Sequence, residues 1–220
     1  MLRNLVIIST ALMTIFSFGL GFFSLLKNYK SKINITWFLT SMAVTIWGFG
    51  YVFAISAGND TEAFRYLRFV YIGACLIPIF SFNFISAFLY KDKKYKYLLY
   101  LGYVLGFLFL ILIFATRTII TGVRYLEKFG HYEEVTAVGF KMFLAYFCFF
   151  AFMNFYLLIS GGLKSDGIRK KQIKYIFVAS LFGFLGGISN FITDLTGIYP
   201  YGQLVVWVYP ILITYGIFLK

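Results

Sequence analysis

One histidine, two cysteines and three prolines are spread over 220 residues, and eight Asp and Glu stand against twenty Lys and Arg. Each scarcity removes a class of function. A metal site or metalloprotease needs clustered His, Cys or carboxylates, and the chain has neither HExxH nor CxxC. Cys75 and Cys148 stand alone inside apolar stretches, which excludes a disulfide framework and reads as small buried hydrophobes. Serine nucleophiles need a histidine partner, but His131 sits in a loop, next to Gly130. A retinal pigment needs a lysine in its last helix, and Leu204–Leu219 has none. An intramembrane aspartyl protease needs two aspartates at helix depth, where only Asp194 comes near. The residues therefore predict no enzyme, no metal site and no cofactor.

Charge is scarce too, at 13%, while 61% of residues are hydrophobic, including 29 Phe and 18 Tyr. No soluble globular domain needs that much apolar surface. Charge is absent from Asn4–Leu26, Ile33–Asn59, Phe69–Tyr90, Tyr97–Thr116, Met142–Leu163, Tyr175–Thr193 and Leu195–Leu219. At ~1.5 Å per helical residue, each such run can cross a ~30 Å hydrocarbon core. The reading is an all-α integral membrane protein, one domain over 1–220. It is a bundle of seven transmembrane helices at about 4–26, 33–57, 65–90, 96–116, 139–163, 172–193 and 200–219. The first run is too long for a signal peptide and counts as helix one.

The net charge of +12 would suggest nucleic acid in a soluble protein; here its distribution sets the orientation instead. The first, third and fifth loops hold Lys27, Lys30 and Lys32; Lys91, Lys93, Lys94 and Lys96; and Lys164, Arg169, Lys170, Lys171 and Lys174, with only Asp92 and Asp166 among them. The opposite side carries seven cations and most of the acids. By the positive-inside rule the N-terminus is outside and the C-terminus cytoplasmic. The one long loop, from Arg117 to about Val138, is then extracellular. Ile119–Leu126 and Tyr132–Val138 are rich in β-branched and aromatic residues around Gly130, the pattern of a small β-hairpin, with His131 exposed at its turn.

Within the helices, Gly102 and Gly106 favour close helix approach, and Ala179, Gly183 and Gly187 form a stripe that marks helix six as the central, tightly packed one. Pro78 is placed to kink helix three. Asn83 and Asn154 lie deep and read as interhelical hydrogen-bonders. Other polar groups gather at the outer mouth: Trp47, Tyr51, Arg65, Arg68, Tyr71, Lys141, Asn190, Asp194, Tyr199, Tyr201 and Gln203. Aromatic walls with a few convergent polar groups suit a small-molecule pocket. Asn190 is one turn from Asp194, and the break at Tyr199-Pro-Tyr-Gly202 returns the chain towards that face. The predicted ligand site is Arg68, Tyr71, Asn190, Asp194, Tyr201 and Gln203. Interface aromatics and an Asp194–arginine pair are the plainer account of the same residues.

Several motifs then occur in order. They are Ile168-Arg-Lys-Lys-Gln-Ile-Lys-Tyr175, Gly183-Phe-Leu-Gly-Gly-Ile-Ser-Asn-Phe191, Ile198-Tyr-Pro-Tyr-Gly202 and Tyr215-Gly-Ile217. Upstream stand Lys32-Ile-Asn34, Ile46-Trp-Gly-Phe-Gly-Tyr51, Arg68 with Ile72-Gly73 and Ile77-Pro78, and Gly122-Val123. Together they resemble the N-terminal seven-transmembrane sensor region of bacterial histidine kinases. The resemblance covers most of the chain, helix one least. It implies a sensor module of a two-component-type system, multi-pass in the bacterial inner membrane. Such a module detects a small-molecule or lipid signal and passes it through helix seven to a cytoplasmic kinase or other output domain, in cis or in trans. Homodimerisation is compatible with that role; nucleic acid is not an expected partner. These residues themselves contain no phosphoacceptor histidine or ATP-binding domain. The rival function is a small-molecule membrane transporter. Transporters favour internal repeats and midplane polar sites, whereas the polar groups here lie at one end.

Overall fold

The computed structural model describes residues 2–196 and 198–220, and the side chains of all of these except 192–196. Its helices are α1 (Leu2–Lys27), α2 (Lys32–Ser56), α3 (Asp60–Phe88), α4 (Lys96–Ala115), α5 (Val138–Gly162), α6 (Gly167–Thr196) and α7 (Val208–Phe218). Strands β1 (Ile120–Leu126) and β2 (His131–Thr136) stand between α4 and α5. The first six helices are each long and apolar enough to span a bilayer. The protein is a multi-pass membrane bundle.

Helix ends follow local chemistry more closely than the charge-free runs do. α3 starts at Asp60, well before its apolar run, because Asn59 caps it. The Asn59 Oδ1 accepts from the Glu62 N–H at 2.9 Å, while the Gly58 N–H donates to the Glu62 carboxylate at 3.4 Å, close to a capping box. The other end of α3 closes on Tyr90, which takes the left-handed position at φ 56°. The Tyr90 N–H donates to the Ala87 carbonyl and the Lys91 N–H to the Ser86 carbonyl, the pairing of a Schellman motif. Nearby, Lys32 at the start of α2 lies 2.5 Å from Asp92. The hydrogen bond from this ammonium holds the Asp92 carboxyl below the usual carboxylate range.

The last helix is shorter than its apolar run. Residues Tyr201–Leu204 form a 3-10 turn, and i to i+3 hydrogen bonds continue through Val205, Val208 and Tyr209 before α7 proper. Pro210 explains the switch. It lacks an N–H, and its ring would crowd the Val206 carbonyl of a continuous α-helix, so α7 proper begins just before it and places it in the first turn, where proline fits best. The tighter winding recovers length: at ~2.0 Å per 3-10 residue and ~1.5 Å per α residue, 201–218 still extends ~30 Å.

Six helices form a closed ring in which α1 meets α2, α2 meets α3, α3 meets α5, α5 meets α6, α6 meets α7 and α7 meets α1. α4 lies outside it, against α3. Contrary to the expectation from its glycine stripe, α6 is not the central helix. Only 33% of its apolar span is buried, against 67% for α3, which packs on α2, α4, α5 and both strands. Of the α6 glycines, Gly183 gives the closest contact: a Cβ there would meet the Tyr209 ring of α7 at 2.8 Å. The closest backbone approach is between α2 and α3. A Cβ on Gly73 would meet the Ala43 carbonyl oxygen and, at 2.6 Å, the Trp47 nitrogen, while a Cβ on Gly50 would come 3.0 Å from the Val70 nitrogen.

Asn83 and Asn154 tie helices together at depth, through Asn83 Nδ2 to Tyr103 Oη (2.7 Å) and Asn154 Nδ2 to Ser81 Oγ (3.2 Å). Cys75 is buried as a small hydrophobe, but Cys148 is exposed on the outer face of α5.

Inside the ring lies an apolar cavity of about 50 Å³, lined among others by Met13, Trp47, Phe147, Gly183, Gly187 and Tyr209. Gly187 faces this space, since the nearest atom to an added Cβ is Phe147 Cζ at 3.7 Å. Gly187→Ala is therefore expected to stabilise the bundle by up to ~1 kcal/mol through helix propensity, read as a higher midpoint of thermal unfolding in detergent. Gly183→Leu, which must displace Tyr209, is expected to lower it.

Candidate functional site

The hairpin folds down onto one end of the ring, where it meets α2, α3 and α6. Its strands are antiparallel, with Leu126 opposite His131 and Val123 opposite Glu134. The connecting Glu127–Gly130 loop closes on the Leu126 carbonyl, which accepts from the Phe129 and Gly130 N–H groups, and Gly130 takes φ 71°. His131 opens β2 and is 2% exposed, so it is no exposed turn residue; Glu133 (4%) and Glu134 (9%) are buried with it. A strand laid over a helix bundle carries these polar groups under cover.

Burial of charge requires partners, and each group has one. His131 Nε2 lies 2.8 Å from Glu133 Oε1, and its Nδ1 lies 3.2 Å from the Phe129 carbonyl oxygen. Glu134 Oε1 accepts from the Tyr71 hydroxyl at 2.9 Å. Tyr71 reaches up from α3, only 1% exposed, with its ring on Phe143. On α2, Trp47 stacks on Tyr51, whose hydroxyl donates to Asn190 Oδ1 of α6 at 3.2 Å. Phe129 of the hairpin turn packs edge-on against Tyr199, which packs in the same way on Tyr201. Burial, then the Glu133 carboxylate and Tyr201, push the Tyr199 phenol above its ordinary value.

Of the residues expected to form the site, Tyr71, Asn190 and Gln203 lie at this end, inside the protein. Gln203 is fully buried: its side-chain Nε2 donates to the Gly186 carbonyl at 3.0 Å, and its backbone carbonyl accepts from Ser9 Oγ at 2.5 Å. Since Gly186 and Asn190 are four apart on α6, Gln203 meets α6 one turn away from Asn190 on the same face. Tyr201 stands at the rim, 58% exposed. Arg68 turns elsewhere, donating to the Ile113 and Phe114 carbonyls at the end of α4 and lying over the Phe64 and Phe114 rings. It supplies a cation where the last helical carbonyls lack intrahelical donors. The side chain of Asp194 lies outside the described residues.

Three buried polar atoms here have no hydrogen-bond partner among the described residues: Asn190 Nδ2, Gln203 Oε1 and Tyr199 Oη. Buried donors and acceptors are nearly always satisfied, by protein groups or by ordered water. The roster that sequence reading missed is Glu133, Glu134 and His131. Of the three, the sequence singled out only His131, as an exposed turn residue, and it is the docking of the hairpin that buries all three.

The family model of the N-terminal 7TM region of histidine kinase matches residues 9–219. The chain belongs to this family. Comparison with curated proteins gives no significant match. The match takes in every element of the N-terminal 7TM region except the first turns of α1, and so includes both the hairpin and the ring beneath it.

Proposed function

We propose that this 7TM region is the sensory module of a bacterial two-component-type protein in the inner membrane. The hairpin end faces outward, and the lysine-rich end, where α7 finishes, faces the cytoplasm. The asymmetry of Lys and Arg between the two sets of loops supports that orientation. A small-molecule or lipid signal binds under the hairpin, at Tyr71, Asn190 and Gln203, with Asp194 and Tyr201 at its edge and Arg68 securing α4 beside it. The observation that carries this reading is the set of unsatisfied groups on Asn190, Gln203 and Tyr199. Asn190 and Gln203 belong to α6 and to the segment leading into α7, so a bound ligand acts directly on the pair whose packing sets the position of helix seven. The apolar cavity beside Gly187 gives that pair room for a second packing. A ligand shifts the balance between two packings only by its differential affinity for them. Beyond α7 the signal passes to an output domain in cis or in trans, and the module itself catalyses nothing.

The test joins the chain at Lys220 to a reporter kinase. Asn190→Leu and Tyr71→Phe are expected to change the response to the activating stimulus while leaving membrane insertion intact; normal signalling by both would place sensing elsewhere. Arg68→Gln is expected to act through α4 and to lower folded yield. Orientation is read by single-cysteine labelling in a background lacking Cys75 and Cys148. Position 128, exposed on the hairpin, should label from outside intact cells, and positions 94 and 170 should not. Labelling of position 170 from outside overturns the scheme.

A further inference from the structure

The lysine-rich end of the bundle holds a second opening, of about 500 Å³, between the α1–α2 turn, the end of α3, the start of α6 and the end of α7. Polar groups dominate its wall, among them Lys27, Asn28, Arg169 and Gln172, with Tyr90 at the same opening. Arg169 is half-buried and held from several sides. One Nη donates to Gln172 Oε1 at 3.0 Å, the other to the Phe88 carbonyl, and the guanidinium lies 4.0 Å from the Phe88 ring centroid and 5.5 Å from that of Tyr90. The ion pairs among the described residues are Lys32–Asp92 and His131–Glu133, so neither Arg169 nor Lys27 has a carboxylate partner there. A fixed guanidinium without counter-charge, with an ammonium on the same polar wall, is an anion receptor.

Two further features belong to this opening. Tyr90 occupies the left-handed position that glycine fills most cheaply, and strain of that kind is kept where the side chain is needed. Gln172 faces two ways: its Oε1 accepts from Arg169, and its Nε2 donates to the Leu219 carbonyl just past α7 at 2.8 Å. One amide thus joins the guanidinium to the end of the last helix.

We infer that this opening binds a phosphate group, carried by an anionic lipid headgroup or by a soluble phosphate, and that Gln172 relays its occupancy to the end of α7. The phosphate competes with Gln172 for the N–H groups of Arg169, which loosens the hold of the amide on Leu219. Basic pockets between transmembrane helices on the cytoplasmic side suit headgroups of this kind. The site gives the protein a second input, at the opposite end from the hairpin.

The experiment uses the full chain in zwitterionic nanodiscs, titrated with phosphatidylglycerol or with inorganic phosphate. Binding is read by native mass spectrometry, and the α7 end by a fluorophore on Lys220→Cys in the background lacking Cys75 and Cys148. Arg169→Gln and Lys27→Gln are expected to weaken binding roughly ten- to hundredfold, the worth of a charge-assisted hydrogen bond. Lys171→Gln, an exposed cation away from the opening, should cost about fivefold at most, as a surface charge does. Gln172→Ala should keep binding but abolish the fluorescence change at position 220. Binding of the lipid alone, or of phosphate alone, supports the site and identifies the source. Equal losses in Lys27→Gln and Lys171→Gln reduce the effect to diffuse surface charge and overturn the site. So does a Lys27→Gln protein that binds normally, a test that stands even where Arg169→Gln fails to fold. An unchanged position-220 response in Gln172→Ala overturns the relay. None of these readouts needs the outer stimulus, so failure here is distinct from failure of the sensor reading.

Discussion

Gly73→Ala is expected to destabilise the bundle by ~3 kcal/mol, the upper part of the range for overpacking, and Gly73→Leu to leave no folded protein in detergent. Adding one methyl to a helix ordinarily helps, by ~1 kcal/mol when glycine becomes alanine. The neighbours decide otherwise. A Cβ here meets the Ala43 carbonyl oxygen, the Trp47 nitrogen at 2.6 Å and the Trp47 Cβ at 2.6 Å. Two of these are backbone atoms, and no side-chain rotation moves them. α2 would have to slide off α3 along the face that also carries Gly50. The displacement would travel, because Trp47 stacks on Tyr51 and Tyr51 holds Asn190. The expected result is a lower midpoint of thermal unfolding for Gly73→Ala, with altered tryptophan near-UV signal, beside a raised midpoint for Gly187→Ala. Equal midpoints for both alanine variants would mean that α2 and α3 are not packed at backbone distance.

These two glycines show what the sequence could and could not tell. Seven apolar helices were legible, because water cannot satisfy a backbone inside lipid and long charge-free runs are the result. The start of α3 was also written in the sequence, in Asn59 followed by Glu62, although the charge-free run obscured it. Which helix lies at the centre was not legible. A soluble helix shows its buried face by the alternation of polar and apolar residues. In a membrane the lipid-facing side is at least as apolar as the core, so the buried α3 and the exposed α4 both read simply as spans, without a polar face to tell which side is buried. The stripe on α6 was conspicuous and Gly73 was a lone glycine, yet the lone glycine makes the closer backbone approach. At the hairpin end, the common level of Tyr71, Asn190 and Gln203 was legible because polar residues stand out in apolar helices. Arg68 was assigned to the same mouth from its level alone, and the free carbonyls ending α4 claimed it. The burial of Glu133, Glu134 and His131 depends on how a loop docks, and no periodicity within the loop encodes that.

The docked hairpin yields the other large effect. Replacing His131 with alanine should strand the buried Glu133 carboxylate without the imidazole that lies 2.8 Å from it. Breaking a buried pair from one side costs ~3–5 kcal/mol, chiefly because an uncompensated charge is left behind. Part of the loss comes from packing, since His131 also stacks against Phe129. The hairpin touches the ring through few elements, so this energy should appear as local opening and not as global unfolding. Hydrogen exchange of the β2 amides in His131→Ala is expected to accelerate by roughly a hundredfold or more, equivalent to ~3 kcal/mol. Exchange in α3 and α5 should stay as in the parent chain. The second half of the argument is a double substitution. His131→Ala with Glu133→Ala removes the stranded carboxylate as well, so it should exchange more slowly than His131→Ala alone despite losing more atoms. A double variant that exchanges faster than the single one would show that the pair contributes by packing and not by the hydrogen bond that holds the carboxylate. In the reporter chimera the single variant has a functional consequence too. With the hairpin open more of the time, the competent closed state is less populated, and the apparent affinity for a stimulus bound beneath it falls by the same fraction.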